Sequence, residues 1–350
     1  MRKRMIAALG LAGAVGTLAA REWWTRQEET QRFYQGRHFW RMIVPAEDVA
    51  WVEHHARSFH IPSGKIGIHI DVYAQKQTTA PVVIVVHGLL SYGRLLSPMI
   101  RAFYERGYTV VVPDIGGNGF SGGVRGGNEM GDSISTIIDV SLWSRQRFDG
   151  PLYMAGISLG GAITYAAAAA GAPVSAISCT NLFTFDDHQV LAQLTGNRLI
   201  PLALPLLRLV AVPFGWVRLP VQWLHNIEAI VDQEESATLA TAVHDPIPPH
   251  YLSLNSMVSM GYTPPAVPLS QNTVPVLVLN QVNDSILDPA VTLASYHQLG
   301  GPKQYQELVS KAHWSFRPEF WKQIVNSSDD WFKSHRLGTT PLYAIERSHL

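Results

Sequence analysis

The chain has 350 residues, 27 Lys and Arg against 27 Asp and Glu, and 47% hydrophobic residues, enough apolar material for a large core in one α/β domain or a domain carrying an insertion. Balanced charge without a long basic run excludes the concentrated Lys and Arg that nucleic-acid binding needs, leaving a small neutral or apolar molecule as the expected partner. Cys179 is the only cysteine, which excludes an internal disulfide framework, a thiolate metal cluster and an N-terminal lipid-attachment cysteine.

Arg2, Lys3 and Arg4 precede an uncharged run over residues 5–20, closed by Arg21, Glu22, Trp23 and Trp24. At 1.5 Å per residue the run is about 24 Å long, short of a hydrocarbon core of roughly 30 Å. Residues 1–20 therefore read as a secretory signal peptide, with Thr17 and Ala19 spaced for cleavage, or as an anchor with Trp23 and Trp24 at the membrane interface. Either reading gives possible membrane association and places the rest of the chain outside the cytosol, exported or membrane-anchored. Residues 21–60 read as an N-terminal extension of aromatics and histidines with weak helical periodicity. Its adjacent His54 and His55 would point apart on a helix rather than to one ion.

Ile66–Tyr73 alternates as an edge strand does. Val82–Val86 and residues 109–112, 152–155, 174–178 and 276–279 are short β-branched runs separated by helix-length segments, the pattern of strands buried on both faces of a parallel sheet. The rhythm breaks over 181–271. Within that stretch, residues 199–224 are rich in leucine and tryptophan, and prolines at 201, 205, 213 and 220 would break them into short pieces; the stretch reads as a helical cap, or lid, over an apolar pocket. A last strand over 304–309 and a helix starting near Pro318 complete a core of residues 61–180 and 272–335, with 336–350 as a C-terminal tail.

The chemistry concentrates at Gly156-Ile157-Ser158-Leu159-Gly160. A G-x-S-x-G turn between strand and helix strains the serine, and glycines on either side let the backbones pass. Composition alone yields this pentapeptide about 0.15 times in a chain this long, so context carries the weight: a strand precedes it and an alanine-rich helix over 162–170 follows. A serine hydroxyl needs a base to take its proton and a third group to orient that base. His313, on the loop after the last strand, is preferred as base over His297 and His244. Asp284, directly after the strand near 276–280, is preferred as the orienting acid over Asp288, which precedes Pro289 and is placed to cap a helix.

Backbone amides that would hold an oxyanion are expected at Leu159, next after the serine, and at Leu89, in the turn His87-Gly88-Leu89-Leu90. His87 itself reads as structural. Gly117-Asn118-Gly119-Phe120-Ser121-Gly122 satisfies G-x-G-x-x-G, but the glycines run on through Gly123, Gly126 and Gly127 instead of opening a helix. No cofactor and no metal is expected, and the run reads as a mobile glycine-rich loop beside the active site.

These motifs resemble, in order, those of the α/β-hydrolase superfamily, and within it the serine-hydrolase branch of monoacylglycerol lipases, lysophospholipases and serine aminopeptidase-like esterases. His87-Gly88, Asp114-x-x-Gly117-x-Gly119-x-Ser121, Gly156-x-Ser158-x-Gly160, and Asp284 with His313 carry the match, which covers about residues 60–335. The resemblance implies a doubly wound, mostly parallel sheet with an inserted cap, a triad of Ser158, Asp284 and His313, and oxyanion amides at Leu89 and Leu159. Ser158 separates the chain from the epoxide-hydrolase and dehalogenase branches, which use an aspartate nucleophile. Ile115 and Gly116 depart from the basic and small residues usual after Asp114. The implied activity is hydrolysis of a lipid-like carboxylic ester, a monoacylglycerol or lysophospholipid, through an acyl-enzyme. An acyltransferase or peptidase would use the same triad, and a non-catalytic binding protein on this fold would show a broken one.

Overall fold

The computed structural model describes residues 2–223 and 230–336; the tail expected at 336–350 falls, beyond its first residue, outside the described residues. Helices α1 (Arg2–Gly36) and α2 (Ala46–His55) lead into a hairpin of β1 (Arg57–Ser63) and β2 (Ile66–Tyr73). Strands and helices then alternate through β3 (Val82–Val86), α3 (Ser97–Glu105), β4 (Thr109–Pro113), α4 (Met130–Arg145), β5 (Leu152–Ile157), α5 (Leu159–Ala169) and β6 (Ala176–Thr180). An insertion follows, with α6 (His188–Leu194), α7 (Ile200–Phe214), β7 (Arg218–Pro220), α8 (Ser236–Ala242), β8 (Tyr251–Ser253) and α9 (Leu254–Met260). The alternation resumes with β9 (Val276–Gln281), α10 (Pro289–Gln298), β10 (Lys303–Leu308) and α11 (Pro318–Ser334).

Eight strands form one sheet in the order β1-β2-β4-β3-β5-β6-β9-β10. β2 pairs antiparallel with both β1 and β4, and every other pair is parallel, the doubly wound, mostly parallel sheet that the β-branched runs predict. Residues of β3 alternate between two cores: Val82, Ile84 and Val86 face α4 and α5, whereas Val83 and Val85 face α3 and α11. Because β3 lies between β4 and β5, the chain winds away from it in both directions, and the carboxyl ends of β3 and β5 flank the crevice where such sheets bind ligands.

Several boundaries differ from the sequence-based expectation. Ile66–Tyr73 is not the edge, since Arg57–Ser63 pairs along its outer side. The first four residues of β1 are exposed, so that strand carries no buried run to announce it. β6 begins two residues later than expected, which puts Asn181 directly at its carboxyl end. The extension is also part of the fold, because Trp40, Val44 and Val52 are buried against the α3 and α11 side of the sheet. His54 and His55 do not diverge: their rings meet edge to face with centroids 4.8 Å apart, and His55 stacks on Trp51.

Within the insertion, α7 stays a single helix through Pro205 and Pro213. Pro201 lies in the first turn, where amides have no intrahelical partner, whereas Pro205 and Pro213 each forgo the N–H bond to the carbonyl four residues back without ending the helix. Leu202, Leu206 and Leu209 on its outer face are between 64% and 76% exposed. α1 runs unbroken past residue 20, so the expected signal peptide or anchor is continuous with the extension. Among the described residues, no helix is long and apolar enough to cross a membrane. The later turns of α1 dock instead on the insertion, where Arg218, 1% exposed, pairs with Glu22 and Glu29 and donates to the Arg125 carbonyl at 2.9 Å.

Candidate active site

Ser158 sits between β5 and α5 at φ 55° and ψ −126°, a left-handed backbone that a side chain adopts only under constraint. The constraint is close packing around the turn. A Cβ on Gly156 would collide with the Gly160 carbonyl and the Thr164 hydroxyl, and one on Gly160 with the carbonyl of Val86. The serine is thereby held out from the carboxyl edge of the sheet.

The structure brings Ser158, His313 and Asp284 together. Ser158 Oγ lies 2.8 Å from His313 Nε2, and His313 Nδ1 lies 2.8 Å from Asp284 Oδ2. A carboxylate only accepts, so Nδ1 carries the ring proton and donates to Asp284, which leaves Nε2 to accept the serine hydroxyl. The Asp284 side chain is fully buried. Its Oδ2 also accepts Asn181 Nδ2 at 3.0 Å, and its Oδ1 accepts the amides of Ile286 and Leu287 at 2.8 Å each. Burial alone would raise this carboxyl, but the His313 hydrogen bond and charge and the two amides outweigh it and hold Asp284 below its ordinary range. Asp284 thus stays ionised and fixes the imidazole.

Asp288 accepts the Ala290 amide at 2.9 Å and caps α10, the alternative role its proline neighbour suggests. His297 lies in the last turn of α10 and His244 on the insertion after α8; His313 is the imidazole that meets the serine. Asn181 is a site residue the sequence reading missed. It adopts φ 64°, a conformation asparagine tolerates better than most residues, and its signal was a polar residue at the carboxyl end of a parallel strand, hidden while β6 was placed two residues early.

Leu159 is the first residue of α5, where an amide has no intrahelical partner. The direction of the Leu89 amide is set through His87. Ile115 N–H donates to His87 Nε2 at 3.0 Å, so the ring proton is on Nδ1, which donates to the Gly88 carbonyl at 2.8 Å. Burial lowers the pKa of His87 and keeps it neutral in this role. In a trans peptide the Leu89 N–H points opposite to that held carbonyl, and Leu90 completes the turn at φ 57°.

The glycine run after β4 wraps its own carboxylate. Asp114 accepts the amides of Gly93 and Phe120 at 2.7 and 2.8 Å and His69 Nδ1 at 3.0 Å, and a Cβ on Gly119 would collide with it. The Gly122 amide is bonded to Gly67, and a Cβ on Gly126 would strike the Tyr251 carbonyl. The loop expected to be mobile is therefore pinned, its glycines serving close backbone approach. His69, also missed by the sequence reading, is buried between Asp114 and Asp71. Desolvation disfavours its charge, but the two carboxylates more than offset that and raise it to about 9. Among the described residues, no group of three or more His, Cys, Asp or Glu side chains could hold a metal ion.

A cavity of about 420 Å³ opens beside Ser158 and His313 and continues under the insertion, with Leu194, Val221, Ile230, Val231 and Leu239 along its wall. A mostly apolar space of this size takes a small molecule with an extended apolar part.

A family model described as the alpha/beta hydrolase fold matches residues 81–319. Among solved structures, the monoacylglycerol lipase of Paleococcus ferrophilus superposes with a TM-score of 0.59 at 17% identity, covering 80% of this chain and 98% of that one. A soluble variant of the Saccharomyces cerevisiae monoglyceride lipase, bound to a substrate analogue, gives 0.60 at 16% identity over 80% and 96%. A Bacillus subtilis carboxylesterase gives 0.57 at 17% identity over 86% and 98%. At these identities the likeness is one of fold. No curated protein matches the chain by sequence.

Proposed function

Because the chain belongs to the α/β-hydrolase fold family, and because a Ser158–His313–Asp284 relay stands beside an apolar cavity, we propose that it is a serine-dependent hydrolase of lipid-like carboxylic esters, such as a monoacylglycerol or lysophospholipid. The relay is the observation that carries the reading. Ser158 Oγ attacks the ester carbonyl carbon while His313 Nε2 takes its proton, and Asp284 supports the imidazolium that forms. The carbonyl oxygen, now negative, is held by the Leu89 and Leu159 amides. Collapse expels the alcohol, which receives the proton from His313, and leaves the acyl group on Ser158. Water, activated by the same histidine, then releases the carboxylic acid and restores the serine.

The apolar cavity wall supports an apolar acyl chain. Arg2, Lys3 and Arg4 before the uncharged run support an N-terminus directed to a membrane, with the catalytic region exported or held at that surface; fractionation of cells making the chain with and without residues 1–20 tests it. For the reaction, the test is hydrolysis of p-nitrophenyl esters from acetyl to palmitoyl by wild type and Ser158→Ala. Turnover should rise with chain length and fall at least about 10³-fold in the variant, with the fold intact by circular dichroism. Ester turnover that survives in Ser158→Ala, or a wild type that turns over no ester and fails to label with a fluorophosphonate, would overturn it. Product analysis with added alcohols and amines separates hydrolysis from acyl transfer.

A further inference from the structure

The loop carrying His313 is gripped from two sides. From the sheet side, Asp284 holds the ring, Ser285 Oγ accepts the His313 amide at 3.2 Å, and Asn283 donates to the Ser310 carbonyl at 2.9 Å. From the insertion, the short segment 230–235 supplies further contacts. Trp314 N–H donates to the Ile230 carbonyl at 2.8 Å, and Val231 forms a parallel bridge with Trp314. Phe316 N–H donates to Glu235 Oε1 at 2.7 Å, on a glutamate only 7% exposed. Glu234 lies 3.1 Å from Lys311 and also pairs with Arg317. Ile230 and Val231, whose backbones make two of these contacts, also line the cavity, as do Trp314 and Phe316 on the loop.

Resting on the esterase reading above, we propose that residues 230–235 couple the filling of the cavity to the placement of the base, with Glu235 as a positioning residue that acts through the 314–316 backbone. An acyl chain in the cavity packs on Ile230 and Val231 and presses that segment onto the loop next to His313. A short ester leaves the contact unsupported. Misplacing a catalytic group by about 1 Å can cost 10²-fold in rate, so a grip of a few hydrogen bonds is enough to grade turnover by chain length. Glu235 accepts the Phe316 N–H through one side-chain oxygen, and glutamine keeps an acceptor oxygen at the same reach. Alanine leaves the amide without its partner.

The experiment measures kcat and KM for acetyl through palmitoyl p-nitrophenyl esters in wild type, Glu235→Ala and Glu235→Gln, each normalised to active sites titrated with a fluorophosphonate. The expected result is a loss of about tenfold in kcat on the longer esters in Glu235→Ala, with KM little changed, a much smaller loss on acetyl, and recovery in Glu235→Gln. Equal losses on short and long esters, an unimpaired Glu235→Ala, or a Glu235→Gln as damaged as Glu235→Ala would each overturn the coupling. If Glu235→Ala does not fold, Val231→Ala keeps the backbone bridge but trims the cavity wall, and it should flatten the dependence of kcat on chain length; an unchanged dependence there would also overturn it. A wild type without ester turnover would defeat the esterase reading instead, since the coupling is read only as a difference among active enzymes.

Discussion

Two of the clusters of buried charge among the described residues, one under the turn after β3 and one between α1 and the insertion, are finished to different degrees. In the first, Asp114 distributes three hydrogen bonds over its two oxygens, His69 bridges it to Asp71, and Asp71 also receives Arg94 and Ser58. In the second, Arg218 joins Glu22 and Glu29 across 196 and 189 residues, yet Arg218 Nη2 and Glu29 Oε1 are buried without a hydrogen-bond partner among the described residues. Burial accordingly leaves Glu29 with a raised pKa despite Arg218, whereas Asp114, although buried, is held low by His69. A satisfied network fixes one arrangement, while a partly satisfied one leaves uncompensated desolvation. The site's backbone turns lie over the first cluster, and the helix that borders the cavity with Arg32 is held by the second.

Removing the hub of the less finished cluster should have the largest effect. Arg218→Met leaves Glu29 buried without its ion-pair partner and Glu22 with Arg26 alone, a change that typically costs about 3–5 kcal/mol. Urea unfolding should show that loss, and limited proteolysis should cut α1 and the insertion before the sheet. Adding Glu22→Gln and Glu29→Gln should return most of it, because neutral side chains are no longer buried as unpaired charge. If Arg218→Met alone unfolds at the wild-type urea midpoint, the ion cluster is not what docks α1.

The same contrast explains what the sequence made legible. The central strands are announced by apolar runs buried on both faces, and Ser158 and Asp284 each follow such a run, whereas His313 follows the mostly polar edge strand β10 and was found by its position after the last strand. β1 was missed because Arg57, Ser58, Phe59 and His60 are all exposed on an edge. His69 alternates within β2 like any polar strand residue, and its meaning depends on Asp114, 45 residues away. Arg218, Glu22 and Glu29 are unremarkable singly; only the folded insertion makes them partners. What depends on local pattern could be read in advance, and what depends on side chains meeting across the insertion could not.

A pH series tests the better-finished cluster. His69 is raised from its usual 6.5 to about 9 by two carboxylates, so the folded state binds its proton more tightly than the unfolded chain does. The resulting stabilisation is fully present below about pH 6.5 and is lost as pH rises through about 9; a shift of that size corresponds to about 3 kcal/mol. His69→Gln should be less stable at pH 6 and should lose the alkaline slope of the urea midpoint between pH 7 and 9. A wild-type midpoint flat over that range would mean that the imidazolium contributes nothing.

The smallest effect lies in the turn that both the cluster and the site share. Leu90 holds φ 57°, a conformation that costs a side-chain-bearing residue roughly 1–2 kcal/mol and costs glycine almost nothing. Leu90→Gly should therefore raise stability by about 1 kcal/mol or less once the greater freedom of glycine in the unfolded chain is subtracted. Turnover should move the other way. Leu90 follows Leu89, whose amide direction depends on the His87 grip on Gly88, and a freer neighbour lets that amide swing away from a developing oxyanion. A few-fold fall in kcat with little change in KM, beside a higher urea midpoint, would identify strain stored at the site; a higher midpoint with unchanged kcat would show that His87 and Asp114 fix the turn without help from Leu90.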